Sequence, residues 1–125
     1  ELHLLFAIIY YYLGMESHSV SSIEKTMKLN KSDISIYQWA GKIYLNVGDY
    51  EKAEKYFQKY IEKSDNPDSD IYSSLGYIYL NRNKINDAKM NFEIALGLDI
   101  KNKSALEGLK KINKLQENKL VSDGN

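Results

Sequence analysis

Residues 69–102 read SDIYSSLGYIYLNRNKINDAKMNFEIALGLDIKN, and residues 34–67 before them follow the same layout. Tyr79-Leu80-Asn81 restates Tyr44-Leu45-Asn46, and Gly41, Gly48, Ala53 and Phe57 lie thirty-five residues ahead of Gly76, Asn83, Ala88 and Phe92. A step of thirty-four residues back from the earlier set reaches Ala7, Tyr10, Gly14, Ser19 and Ile23, a worn copy that keeps the aromatic residue and one glycine. Three units of one design therefore fill most of the chain.

Within a unit the apolar residues recur every three or four positions. Tyr37, Ala40, Gly41, Ile43 and Tyr44 do so, and then Ala53, Tyr56, Phe57, Tyr60 and Ile61, which is the period of a helix. Each unit thus predicts two helices. Gly14, Gly48 and Asn83 separate them, and these residue types accept the left-handed conformation that ends a helix. Asp49 is positioned to cap the helix that follows. So short a connection makes the two helices antiparallel neighbours, and Ala7, Gly41 and Gly76 are small enough to let their backbones close together.

A small residue, an aromatic three further on, then an alanine and an aromatic four apart, all at a period near thirty-four, resembles the tetratricopeptide repeat (TPR). Residues 69–102 carry Tyr72, Leu75, Gly76, Tyr79, Ala88 and Phe92 at the pattern positions, with Ile100 where proline is expected. Residues 34–67 carry Tyr37, Ala40, Gly41, Tyr44, Ala53 and Phe57, with Pro67 two residues late, and residues 1–33 carry His3, Phe6, Ala7, Tyr10, Ser19 and Ile23. The resemblance implies an all-α, right-handed α–α superhelix, a solenoid of three helix pairs with repeats at about 1–33, 34–68 and 69–102. Ala105, Leu106, Leu109, Ile112 and Leu115 then form an apolar stripe. That stripe predicts a capping helix over about 103–118, because a solenoid needs a terminal element with one face for the last repeat and one for water. The expectation is a single domain over 1–118 and a disordered tail over 119–125.

Formal charge cancels, with 17 Lys plus Arg against 17 Asp plus Glu, so no global field favours nucleic acid or an acidic membrane. The apolar run from Leu2 to Leu13 falls short of the ~20 residues of a membrane span and has no basic flank of a secretory signal. There is no cysteine, and His3 and His18 are the only histidines, with no carboxylate spaced to make either a metal pair. Zinc and acid–base dyad chemistry therefore lack their ligands. Ser21, Ser22, Ser73 and Ser74 sit mid-helix without a G-x-S-x-G turn, and no glycine-rich phosphate loop occurs. The reading is a non-enzyme with no catalytic residue, no cofactor and no metal, whose partner is a protein or peptide rather than nucleic acid or membrane.

By resemblance, the first helices of successive units line a concave face that takes the ligand. The residues placed there are Leu4, Ile8, Tyr11 and Tyr12 in the first unit, Gln38, Lys42 and Asn46 in the second, and Ser73, Tyr77 and Asn81 in the third. Amides and hydroxyls among them suit an extended peptide backbone, and Lys42 suits a carboxylate. One subgroup of the family grips the C-terminal carboxylate of heat-shock chaperones with lysines, asparagines and an arginine. Here those positions hold Leu4, Ile8, Trp39, Asp70 and Ser74, so that clamp is absent.

The first helix is apolar nearly all round, whereas a surface helix shows one apolar stripe. A preceding repeat, a second copy of the chain or an apolar partner helix is expected to cover Leu4, Leu5, Ile8, Ile9 and Tyr12, a homodimer through this helix being the second of the three. The chain opens on Glu1, and a segment cut from a longer protein is expected. Two other roles fit the same residues: a structural piece of a longer array, and the regulatory module of an enzyme.

Overall fold

The computed structural model describes residues 2–30 and 32–124. Among them it forms seven helices and no strand: α1 (Leu2–Tyr12), α2 (Glu16–Leu29), α3 (Ile34–Asn46), α4 (Tyr50–Lys63), α5 (Ser69–Asn81), α6 (Ile85–Leu98) and α7 (Lys103–Asp123). The chain divides into two compact units, Glu1–Pro67 with α1 to α4 and Asp68–Asn125 with α5 to α7.

The turns inside the three helix pairs are the same device repeated. Gly14 (φ 73°), Gly48 (φ 84°) and Asn83 (φ 60°) take the left-handed conformation, as their residue types predict. After α1, the Met15 amide donates to the Tyr10 carbonyl at 2.9 Å and the Gly14 amide to Tyr11 at 3.2 Å. Asp49 and Gly48 repeat that pattern on Tyr44 and Leu45, and Lys84 and Asn83 repeat it on Tyr79 and Leu80. Paired bonds of this kind satisfy carbonyls that a helix end otherwise leaves without donors. The Asp49 side chain accepts from the Lys52 amide at 3.1 Å, capping α4.

Each pair closes on a small residue sixteen positions before a large one. A Cβ on Gly41 would run into the Phe57 ring, and one on Gly76 into the Phe92 ring. Phe57 and Phe92 are fully buried, as are Ala7 and Ile23 at the matching positions of the first pair. The core of the first unit gathers Ala7, Ile23, Ile36, Ala40 and Ile43, with Leu4, Met27 and Trp39 packed on it. In the second unit Ala88, Phe92, Ala95, Ala105 and Ile112 form the centre, and Gly108 of α7 also meets Phe92.

Helix α7 differs from its expected extent. It runs through Asp123, five residues past 118, and the Gly124 amide still donates to Leu120 at 2.9 Å. Residues 113–123 are exposed, so packing does not hold them. Their sequence, NKLQENKLVSD, contains no glycine or proline to stop a helix begun at the packed stripe. Asn125, part of the expected tail, lies outside the described residues. No helix among the described residues is long and apolar enough to cross a membrane.

The Gly41–Phe57 and Gly76–Phe92 contacts set a measurable cost. Gly41→Ala or Gly76→Ala forces a buried ring to move, and each is expected to lower the unfolding free energy by about 1–3 kcal/mol. Urea denaturation followed by far-UV circular dichroism checks this; an unchanged or raised midpoint would show that the rings yield freely.

Candidate binding surface

The expected ligand-binding residues divide between the two units, and the structure treats the two sets differently. In the first unit, α1 and α3 bring Tyr11, Tyr12, Trp39 and Lys42 together. The Tyr11 and Tyr12 rings approach the Trp39 ring edge-on, with centroids 5.7 and 6.0 Å away. The Lys42 ammonium stands 4.7 Å from the Trp39 centroid. Tyr12 is 74% exposed, while Tyr11, Trp39 and Lys42 are half-buried, so the cluster forms a firm base with an open top. Aromatic edges and a cation over an indole each contribute about 0.5–1.5 kcal/mol to such an arrangement.

Trp39 is absent from the expected set, although it is the residue on which this cluster is built. Its signal in the sequence is its place directly after Gln38, one turn before Lys42. Gln38 is half-buried and already engaged in an interaction of its own. Asn46 stands exposed at the end of α3. Leu4 and Ile8 are half-buried, Leu4 packing on the core, so they support the surface more than they display it.

In the second unit the expected residues serve the unit itself. Ser73 is 3% exposed and its hydroxyl donates to the Asp70 carbonyl at 3.0 Å, which removes it from any ligand. The Asn81 amide donates to the Tyr77 carbonyl at 3.0 Å, closing the last turn of α5. Tyr77 joins α5 to the other two helices: its ring meets Phe92 edge-on at 5.0 Å and its hydroxyl donates to the Ser104 carbonyl at 3.0 Å. Lys111 of α7 places its ammonium 5.3 Å from the Tyr77 centroid. Burial, and then the Glu107 carboxylate, push the Tyr77 phenol above its ordinary pKa. The Asn102 amide adds a second tie between α5 and the start of α7, donating to Ser69 Oγ at 2.6 Å and Asp70 Oδ1 at 3.3 Å while its oxygen caps α7. Helix α7 thus occupies Tyr77 and Asp70, and the open part of the expected surface is the α1/α3 cluster. Among the described residues no group of three or more His, Asp or Glu side chains is placed to hold a metal ion.

A tetratricopeptide repeat family model matches residues 34–63 and 69–102, which together take in half of the chain. The chain belongs to the tetratricopeptide repeat family. Helices α1 and α2 lie outside the matched stretches, but they carry the same left-handed turn and the same small-to-large contact as the TPR pairs after them. The TPR domain of Arabidopsis OM64 is similar over 90% of this chain and 93% of its own, at 19% identity and a TM-score of 0.82. The second TPR domain of human RPAP3, solved with the HSP70 peptide SGPTIEEVD, covers 90% of this chain and 96% of its own, at 22% identity and a TM-score of 0.77. These likenesses show the fold, the all-α TPR solenoid class expected from the sequence.

A curated relative, the Sol locus transcriptional repressor of Clostridium acetobutylicum, is 37% identical over 79 residues, 62% of this chain. The matched stretch spans 23% of that protein's length.

Tyr77 gives the second unit a pH signature. Its folded pKa lies above the unfolded value of about 10, so the stability it contributes is complete below that pH and is lost as pH rises through the folded value. Tyr77→Phe is expected to flatten the loss of stability above about pH 10. Denaturation at a series of alkaline pH values checks it, and parallel curves for the two proteins would remove the effect.

Proposed function

We propose that this chain is a protein–protein interaction module without catalysis, taking a peptide or partner helix on the α1/α3 face of its first unit. The observation that carries the reading is the Tyr11–Tyr12–Trp39–Lys42 cluster, an aromatic base with an accessible cation. Residues of this kind anchor interfaces, since they bury large area at small entropic cost. The TPR fold supports it, and so does the peptide held by the second TPR domain of RPAP3. Lys42, over Trp39, offers a contact for a carboxylate of the ligand. With Leu4 and Ile8 at the positions of the chaperone-tail clamp, the ligand is of another sort, with an apolar anchor for Tyr12 and Trp39.

The α1 helix favours a second reading, a junction with further helices. Leu2 is 62%, Phe6 39% and Ile9 43% exposed, whereas the residues thirty-four positions later, Ile36, Ala40 and Ile43, are buried within the same unit. There α1 and α2 pack on α3. The equivalent face of α1 fits the same kind of cover, either a preceding helix pair or α1 of a second copy. Helix α1 carries no charged residue, so two copies would meet without repulsion. The greater length of the curated repressor relative supports a role as a segment of a larger regulatory protein.

Two measurements separate these readings. Peptides selected by display on the intact chain should lose binding at least about tenfold to Trp39→Ala combined with Lys42→Glu; unchanged affinity would end the cluster's role. In sedimentation velocity the chain should run as a dimer or larger, and Leu5→Glu with Ile9→Glu, at exposed positions that leave the core intact, should give a folded monomer. A monomeric parent chain would end self-association through α1.

A further inference from the structure

Within the first unit α2 and α4 each pack on α3, and residues of all three helices line a groove. One part of it, a cavity of about 200 Å³, is lined by Met27, Asn30, Ile36, Tyr37, Tyr56 and Lys59. A second cavity shares Met27 and Tyr56 and extends along Glu24, Lys28, Tyr44 and Lys52. This groove is not the α1/α3 face. At roughly 100° per residue, Tyr37 and Tyr44 project from α3 on the side away from Trp39 and Lys42.

The lining is specific. Tyr56 lies nearly parallel to Tyr37 and to Tyr44, at 6.4 Å and 17° from the first and 5.6 Å and 16° from the second. Lysines of α4 stand over this ladder, the Lys59 ammonium 5.6 Å from Tyr37 and 5.8 Å from Tyr56, and the Lys52 ammonium 5.2 Å from Tyr44. Against Lys28, Lys52 and Lys59 the two cavities set one carboxylate, Glu24, which accepts a bond from the Tyr44 hydroxyl at 3.0 Å. The groove therefore offers an apolar recess of Met27 and Ile36 under a net positive rim.

The recess of about 200 Å³ has room for one bulky side chain, and the adjoining cavity of about 400 Å³ continues it past Glu24, Lys28 and Lys52. We infer that the α2/α4 groove is a second docking site, which takes an acidic peptide segment with an apolar side chain seated between Met27 and Tyr56 and carboxylates against Lys28, Lys52 and Lys59. Charge complementarity commits the occupant. Single-stranded nucleic acid shares the negative charge but suits the groove less, because the ring faces are covered by one another and by lysines. A longer phosphate backbone continuing past Glu24 would also meet Glu16.

The probe is a fluorescein-labelled synthetic peptide of Asp and Glu around a central Phe-Leu pair, followed by fluorescence anisotropy on the intact chain. Its controls are a Lys and Arg analogue, an analogue with Ala for Phe-Leu, and an oligo-dT strand. The acidic apolar peptide is expected to bind at least about tenfold more tightly than each control. Lys52→Glu with Lys59→Glu, and separately Met27→Trp to fill the recess, should each weaken it by at least that factor, while Lys114→Glu on the exposed part of α7 leaves it unchanged. Circular dichroism establishes that each variant is folded, and the charge-reversal pair lies at the rim, where the core is not disturbed. Failure of the peptide to bind, binding that survives the charge reversal, or tighter binding of oligo-dT would each overturn the proposal. Loss of binding on Lys42→Glu would assign the peptide to the α1/α3 face instead, leaving the module reading intact and this one refuted.

Discussion

Close approach of two helices over a residue with no side chain, or almost none, is the constraint on which each helix pair rests. Phe57 can lie flat in the core only because Gly41 presents bare backbone to it, and Phe92 has the same relation to Gly76. Ala7 and Ile23 reproduce the arrangement with a smaller partner. The spacing of sixteen residues follows from it: α-helices joined by a two- or three-residue turn must return to the same level before the ring can meet the gap. The left-handed turns at Gly14, Gly48 and Asn83 supply that return, and the carbonyls they satisfy keep the helix ends from competing for water.

What the closed pairs leave over is the surface, and the two units dispose of it differently. The second unit spends its polar residues on itself. Tyr77, Asn102, Ser69 and Asp70 fasten α7 to α5, and Ser73 and Asn81 bond within α5. The first unit leaves Tyr12, Trp39 and Lys42 on one side of α3 and the tyrosine ladder with its lysines on another. The aromatic clusters with lysines over their rings that stay clear of α7 therefore lie in α1 to α4.

Much of this was legible in the sequence because it depends on local rules. Glycine and asparagine at a helix end, aspartate before the next helix, and a small residue where two helices close together each act within one repeat, and each can be read without knowing the rest. The site was less legible. Ser73 reads as a surface residue from its type, yet a hydroxyl that bonds its own helix backbone behaves as a small core side chain. Tyr77 reads as a groove residue until α7 supplies Ser104 as its acceptor. Residues 119–123 read as a tail because nothing packs on them, whereas a helix once nucleated continues until a residue stops it. The α2/α4 groove was invisible because Met27, Tyr37, Tyr56 and Lys59 come from three helices, and each taken singly reads as core or as solvated charge.

Phe92 is held from two sides, with Gly76 of α5 against one part of the ring and Gly108 of α7 against another. One aromatic side chain is thereby common to all three helices of its unit. Under mechanical load from the C-terminal end, the solvated turns after Ile112 would unravel progressively at low force. Once the load reached Gly108 the ring would lose a wall, and α5 and α6 would lose the plug between them. The unit should then yield in a single step, so its resistance to pulling is set at that ring rather than spread along α7.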